Sequence, residues 1–207
     1  MLDPLIKKTL SILASVAVVV FLYFGAYLPY TKSQKLISAM GSIQNGASLQ
    51  GYENAFSSVL DYYSPVGQEE SVKQLGNSTL SILSSQKNLP KNIAEELLKF
   101  NLKYFEPIIN NSRGGNASQN ILVVGQIYHT MALNYNDINY LNIAIDYYQK
   151  GLVNSPRRPQ FLYSLFEAYQ EKKDYNSAIK TGEEILKYWP ADTQVKQAVE
   201  EIRKLTK

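Results

Sequence analysis

No cysteine occurs among the 207 residues, which excludes disulfide scaffolds, thiolate metal sites, cysteine nucleophiles and thiol redox chemistry. The compartment stays open, because chains without cysteine occur on both sides of a membrane. A single histidine, His129, leaves little for metal binding or acid–base work. Charge of one sign is also scarce: 21 Lys and Arg face 18 Asp and Glu, a net charge of +3 with no dense basic cluster to track a phosphate backbone. Nucleic acid is therefore not an expected partner. No GxSxG, HExxH, P-loop or GxGxxG pattern is present, and the glycines are scattered. Acidic pairs stand at Glu69-Glu70, Glu95-Glu96, Glu183-Glu184 and Glu200-Glu201. Neighbours on a helix point about 100° apart, so such pairs read as solvated faces and not as catalytic dyads. No catalytic residue, cofactor or metal is expected.

What is present is uneven. Between Lys8 and Lys32 the chain reads TLSILASVAVVVFLYFGAYLPYT without a charge. A helix of about 20 such residues spans the hydrocarbon core of a bilayer. Thr9 to Leu28 is expected to be a transmembrane helix, with Phe21, Tyr23, Phe24, Tyr27 and Tyr30 at the headgroup level and Pro29 where the helix stops. A cleaved signal peptide is the rival, since Lys7 and Lys8 suit its basic start. The apolar stretch is long for one, and no A-x-A site follows. Lys7 and Lys8 on one side against Lys32 and Lys35 on the other encode orientation only weakly. A cytoplasmic amino terminus puts everything from Tyr30 onward outside the cytoplasm. Ser11 and Ser15 share a face with Ala14 and Leu22, a small-residue pattern suited to a second transmembrane helix or to a simple anchor.

Internal repetition is the strongest signal. Tyr135 and Tyr169, Ala144 and Ala178, Ile145 and Ile179, Leu152 and Leu186, Pro156 and Pro190 all lie 34 residues apart. The later copy carries Leu165, Tyr169, Tyr175, Ala178, Ile185 and Pro190 at signature positions; the earlier carries Met131, Ala132, Tyr135, Ala144, Tyr148, Gly151 and Pro156. This pattern resembles the tetratricopeptide repeat. The resemblance implies an all-α fold of helical hairpins stacked as an α-solenoid, with Ala144 and Ala178 at close helix crossings and Gly151 where the next repeat approaches. Phe166 stands at a position usually small, and Gly182 at one usually aromatic.

A degenerate copy precedes these, KLISAMGSIQ followed by GYENAFSSVLDYYSP, with Tyr52 and Ala55 spaced as Tyr175 and Ala178 are. Apolar residues at three- and four-residue spacing predict helices in EESVKQLGNSTLSILSSQ and NIAEELLKFNLKYFEPII, with a break at Leu89-Pro90 and a new start near Asn92. Residues 110–120, NNSRGGNASQN, read as a polar loop. From Asp192 a last amphipathic helix, with Val195, Ala198, Ile202 and Leu205 on one face, reads as the cap of the stack. The expected organisation is an N-terminal segment and transmembrane helix over 1–31, a helical region with the degenerate hairpin over 32–109, the loop, and two repeats with a capping helix over 121–207.

First helices of such repeats line a concave face. Gln126, Gln160 and Gln194 recur at the 34-residue period, and beside them lie His129 and Tyr163, Thr130 and Ser164, Asn136 and Gln170. Amides and hydroxyls without Lys or Arg make a neutral groove, suited to peptide backbone or to saccharide hydroxyls; the alternative is that these are solvated polar positions. His129 reads as a groove residue or one with a hydroxyl partner. Most of the sixteen tyrosines are expected to pack between helices.

Residues 5–207 as a whole look like the C-terminal tail of bacterial O-antigen ligase-like membrane proteins, on the apolar helix, the juxtamembrane helix, GYENAFSSVLDYYSPVGQEE and the terminal repeats. In that family the chemistry belongs to a multi-span domain, whose catalytic arginines and histidine have no counterpart here. The expected function is a single-pass, membrane-anchored repeat protein that binds another protein or peptide in the cell envelope. The alternative is an accessory part of a glycan-transfer system.

Overall fold

The computed structural model describes residues 3–44, 48–86, 88–111 and 115–206, and among them every regular element is a helix. The all-α expectation holds. The chain divides into two compact units, Met1–Gln74 and Leu75–Lys207.

The first unit begins with α1 (Pro4–Leu22), passes through a π-helical turn (Tyr23–Tyr27) and continues as α2 (Leu28–Gln44). Asp3 caps α1, its carboxylate accepting from the Leu5 amide at 2.8 Å, and Pro4 suits the first turn, where an N–H would be left unpaired anyway. One stretch of this helix, Pro4–Gly41, is long and apolar enough to cross a membrane, and α1 buries none of its side chains. The expected stop at Pro29 is wrong: the helix runs on to Gln44. Pro29 lacks an N–H, and its ring crowds the carbonyl four residues back. The π turn just before it, where the Leu28 amide reaches back to the Tyr23 carbonyl, widens the helix and accommodates both defects.

Helix α3 (Leu49–Leu60) packs on α2 through Tyr52, Phe56, Val59 and Leu60, while α2 buries Leu28, Lys32 and Ala39. Lys32 donates to the Tyr62 carbonyl at 3.1 Å and to the Gln68 side chain. That carbonyl lies just past the C-terminal end of α3, where the helix dipole favours a cation. This helix pair occupies the stretch of the degenerate hairpin, and the juxtamembrane helix proves to be a continuation of the apolar one.

Helix α4 (Gln68–Ser85) ends before Pro90, and α5 (Lys91–Asn111) starts beside it, one residue from the expected position. Helix α6 (Gly115–Tyr135) then corrects the loop reading of residues 110–120. Residues 110–111 and 115–120 are helical, and 112–114 lie outside the described residues. The polar composition misled because these side chains have partners: Ser118 Oγ lies 2.7 Å from Ser155 Oγ, and Gln119 accepts from Arg158.

Helices α7 (Ile138–Asn154), α8 (Pro159–Glu171), α9 (Tyr175–Tyr188) and α10 (Thr193–Leu205) follow. From α5 to α10 each helix packs on its neighbour in sequence, and α6 also meets α8. The burial pattern repeats at 34: Ile127 and Phe161, Tyr128 and Leu162, Met131 and Leu165, Ala132 and Phe166, Ala144 and Ala178 are buried in pairs. Both second helices end alike. Ser155 (φ −147°, ψ 76°) and Trp189 (φ −128°, ψ 74°) leave the helix just before Pro156 and Pro190, because a proline disfavours helical geometry in the residue it follows.

The turns inside the two hairpins use one device but not one register. Asn136 (φ 49°) and Lys173 (φ 61°) take the left-handed conformation. The next residues, Asp137 and Asp174, reach back to the Ala132 and Tyr169 carbonyls and then cap α7 and α9. These turns lie 37 residues apart while the buried pairs lie 34 apart, so α6 closes about one turn early.

Gly151 stands where α7 meets α8, and a Cβ there would sit 2.2 Å from the Phe161 ring, as its expected role requires. The two departures from the repeat pattern offset each other. A Cβ on Gly182 would lie 2.9 Å from the Phe166 ring and 2.4 Å from Val199, so the aromatic at the usually small position fills the space that the usual aromatic leaves. Helix α10 buries Val195, Val199 and Ile202 and is capped by Asp192, but Leu205 of its expected apolar face is exposed.

Candidate functional site

The second unit holds a cleft of about 350 Å³ built from one face of each of several helices. Helix α6 contributes Gln126, His129, Thr130 and Leu133, at i, i+3, i+4 and i+7 on one face; α8 contributes Ser164, Glu167 and Glu171; α4 contributes Leu80 and Ser84. Tyr148 of α7 forms part of the lining.

His129, only 8% exposed, ties three helices together. Its Nδ1 lies 3.2 Å from the Tyr148 hydroxyl and its Nε2 2.5 Å from Glu171 Oε2. The expected hydroxyl partner is there, and so is a carboxylate that the reading of its own helix did not find. With both ring nitrogens engaged, the imidazole braces the cleft. Burial pushes the Tyr148 hydroxyl pKa well above the usual tyrosine value, with Glu167 and Glu171 adding and a hydrogen bond with Ser164 opposing. Tyr148 therefore stays protonated at neutral pH as a neutral partner of the imidazole. Among the described residues no cluster of three or more His, Asp or Glu is placed to hold a metal.

The candidate residues divide. Gln126, His129, Thr130 and Ser164 come together in the cleft. The Thr130 hydroxyl donates to the Gln126 carbonyl of its own helix at 2.9 Å. Asn136 lies in the turn, not on the helix, and so is not equivalent to Gln170; it lines an adjoining depression of about 160 Å³ with Ala132, Asp137, Ile138 and Leu141. That depression shares Leu133 and Glu171 with the cleft.

The other four line neither depression. Gln170 donates back to the Phe166 carbonyl at 3.3 Å, and exposed Gln160 accepts from Arg158 Nε at 3.3 Å. The Tyr163 hydroxyl donates to Asp192 Oδ2 at 2.5 Å, fixing the start of α10, and that carboxylate pushes the tyrosine pKa up to about 12. Gln194 stands exposed on α10. The glutamine series at the 34-residue period thus contributes one residue, Gln126, because Gln194 lies exposed on α10, which packs on α9, and Gln160 sits at the exposed N-terminal end of α8.

Neutrality is the other expectation that fails. Glu167 and Glu171 both border the cleft, at 34 residues beyond Leu133 and Asp137. Following every position of the face, instead of its recurring polar types, would have found them. Tyr148 belongs to the tyrosines expected mostly to pack between helices, and nothing in the repeat register points to Leu80 or Ser84. No protein-family model matches the chain, and no match to a curated protein was found. The 34-residue period of the sequence recurs in the structure as paired burial.

Proposed function

We propose that this chain is a membrane-anchored scaffold of tetratricopeptide-like hairpins stacked as a solenoid, and that it works by docking a partner protein in the cell envelope. The cleft between the two first helices, α6 and α8, carries this reading: it is open and lined from separate helices. Its polar groups are arranged to hold. His129 is spent on bracing, while Gln126, Ser84 and Ser164 offer hydrogen bonds to a backbone laid along the groove. The apolar helix supplies the tether, which raises the local concentration of the docking domain at the membrane. With the amino terminus, Lys7 and Lys8 set against Lys32 and Lys35, the charge balance leans only slightly to a cytoplasmic amino terminus, the orientation that puts the repeat region outside the cytoplasm.

Affinity purification of the full chain from native membranes tests this. Replacing Gln126 and Ser164 with Ala removes two hydrogen-bonding side chains and is expected to lower partner recovery about tenfold. Replacing Gln160 and Gln194 with Ala is expected to leave recovery unchanged. Equal recovery from both variants would remove the cleft from the account.

A further inference from the structure

The cleft is opposite in charge to the chain around it. The whole sequence carries a net +3, yet the cleft lining includes Glu167 and Glu171 and no lysine or arginine. Glu171 spends one carboxylate oxygen, Oε2, on His129, and a third of its side chain is exposed. Glu167, one turn earlier on α8, is exposed and pairs with no cationic side chain among the described residues. Beside them lies apolar surface. Leu133 is 58% exposed and Ile138 49%, and Leu133 and Glu171 border both the cleft and the adjoining depression. Carboxylates and aliphatic surface therefore form one continuous strip.

That combination selects among occupants. An acidic segment is repelled, and a neutral saccharide leaves the free carboxylate without a charge partner. A lysine or arginine side chain satisfies both surfaces, since its stem is aliphatic and its head cationic. Residues four apart on a helix stand about 6 Å apart on one face, so a single cationic head addresses both glutamates.

We propose that the cleft takes an extended peptide segment of the partner protein, with a lysine or arginine side chain set between Glu167 and Glu171 and an apolar side chain laid on Leu133 and Ile138. This rests on the docking function proposed above and names the chemistry of what docks.

The test uses the full chain in lipid nanodiscs and a phage-displayed library of random peptides. Selected peptides are then titrated by fluorescence anisotropy, each beside a version with its cation changed to glutamine. Enrichment of Lys or Arg next to an apolar residue is expected, with binding weakened about tenfold when the cation is lost. Glu167→Gln is expected to remove most of that difference while leaving the glutamine peptides bound as before. Peptides that bind, lose affinity on Leu133→Ser, and yet are indifferent to their cation and to Glu167→Gln would overturn the proposal and leave the docking function standing. A chain that selects no peptide, or only peptides indifferent to Leu133→Ser, would overturn both.

Discussion

Gly151→Val is expected to cost about 3 kcal/mol, the upper part of the usual range for overpacking, and to lower the melting temperature by about 6–12 °C. The side chain has nowhere to go. Its Cβ would fall 2.2 Å from the Phe161 ring, and that ring is fully buried with the Arg158 guanidinium 5.7 Å from its centroid. The loss would appear in the helical circular dichroism of the full chain in detergent as a shifted unfolding transition. Gly41→Ala is the matched control, since no atom lies within 4 Å of the added carbon. Removing glycine from a helix interior there is expected to stabilise by about 0.5–1 kcal/mol. An equal, small effect at both positions would mean that α7 and α8 do not approach as described.

Phe166, Gly182 and Val199 are expected to behave as one unit. Phe166→Ala alone should cost about 3–5 kcal/mol, because a buried ring is lost. Gly182→Phe alone is also destabilising, since its Cβ meets both Phe166 and Val199. Combined with Phe166→Ala and Val199→Ala, the new ring at 182 takes the volume that the other two vacate, which restores the usual order of small and aromatic positions. The triple variant should therefore be more stable than the sum of the three single changes by about 0.5–3 kcal/mol, read from denaturant midpoints. Strict additivity would show that the two departures from the repeat pattern are unrelated.

The hairpins were legible in the sequence because the requirements that shape them are local and repeat. Ala144 and Ala178 must be small, Pro156 and Pro190 must follow the helices they end, and each stands 34 residues from its counterpart. Pro29 obeys the same chemistry, but its effect depends on a π turn that no residue spacing announces. Residues 115–120 look like a loop because Ser118 and Gln119 are polar, and their partners, Ser155 and Arg158, lie far along the chain.

The cleft was half legible for a related reason. Gln126, His129, Thr130 and Ser164 follow from periodicity. The junction of His129 with Glu171 joins residues 42 apart and depends on how α8 lies against α6. Tyr163 and Gln170 share the register of the face, but their polar atoms are taken up by Asp192 and by the Phe166 carbonyl. Register alone does not reveal that competition.

The most direct measurement is site-specific photocrosslinking of the full chain in its native membrane, with a benzophenone side chain at Leu133, in the cleft, or at Val153, exposed on α7 and absent from the lining. A discrete protein adduct from position 133, with none from 153, is the predicted result. Adducts from 153 alone, or from neither position, would contradict the view that this cleft holds a partner.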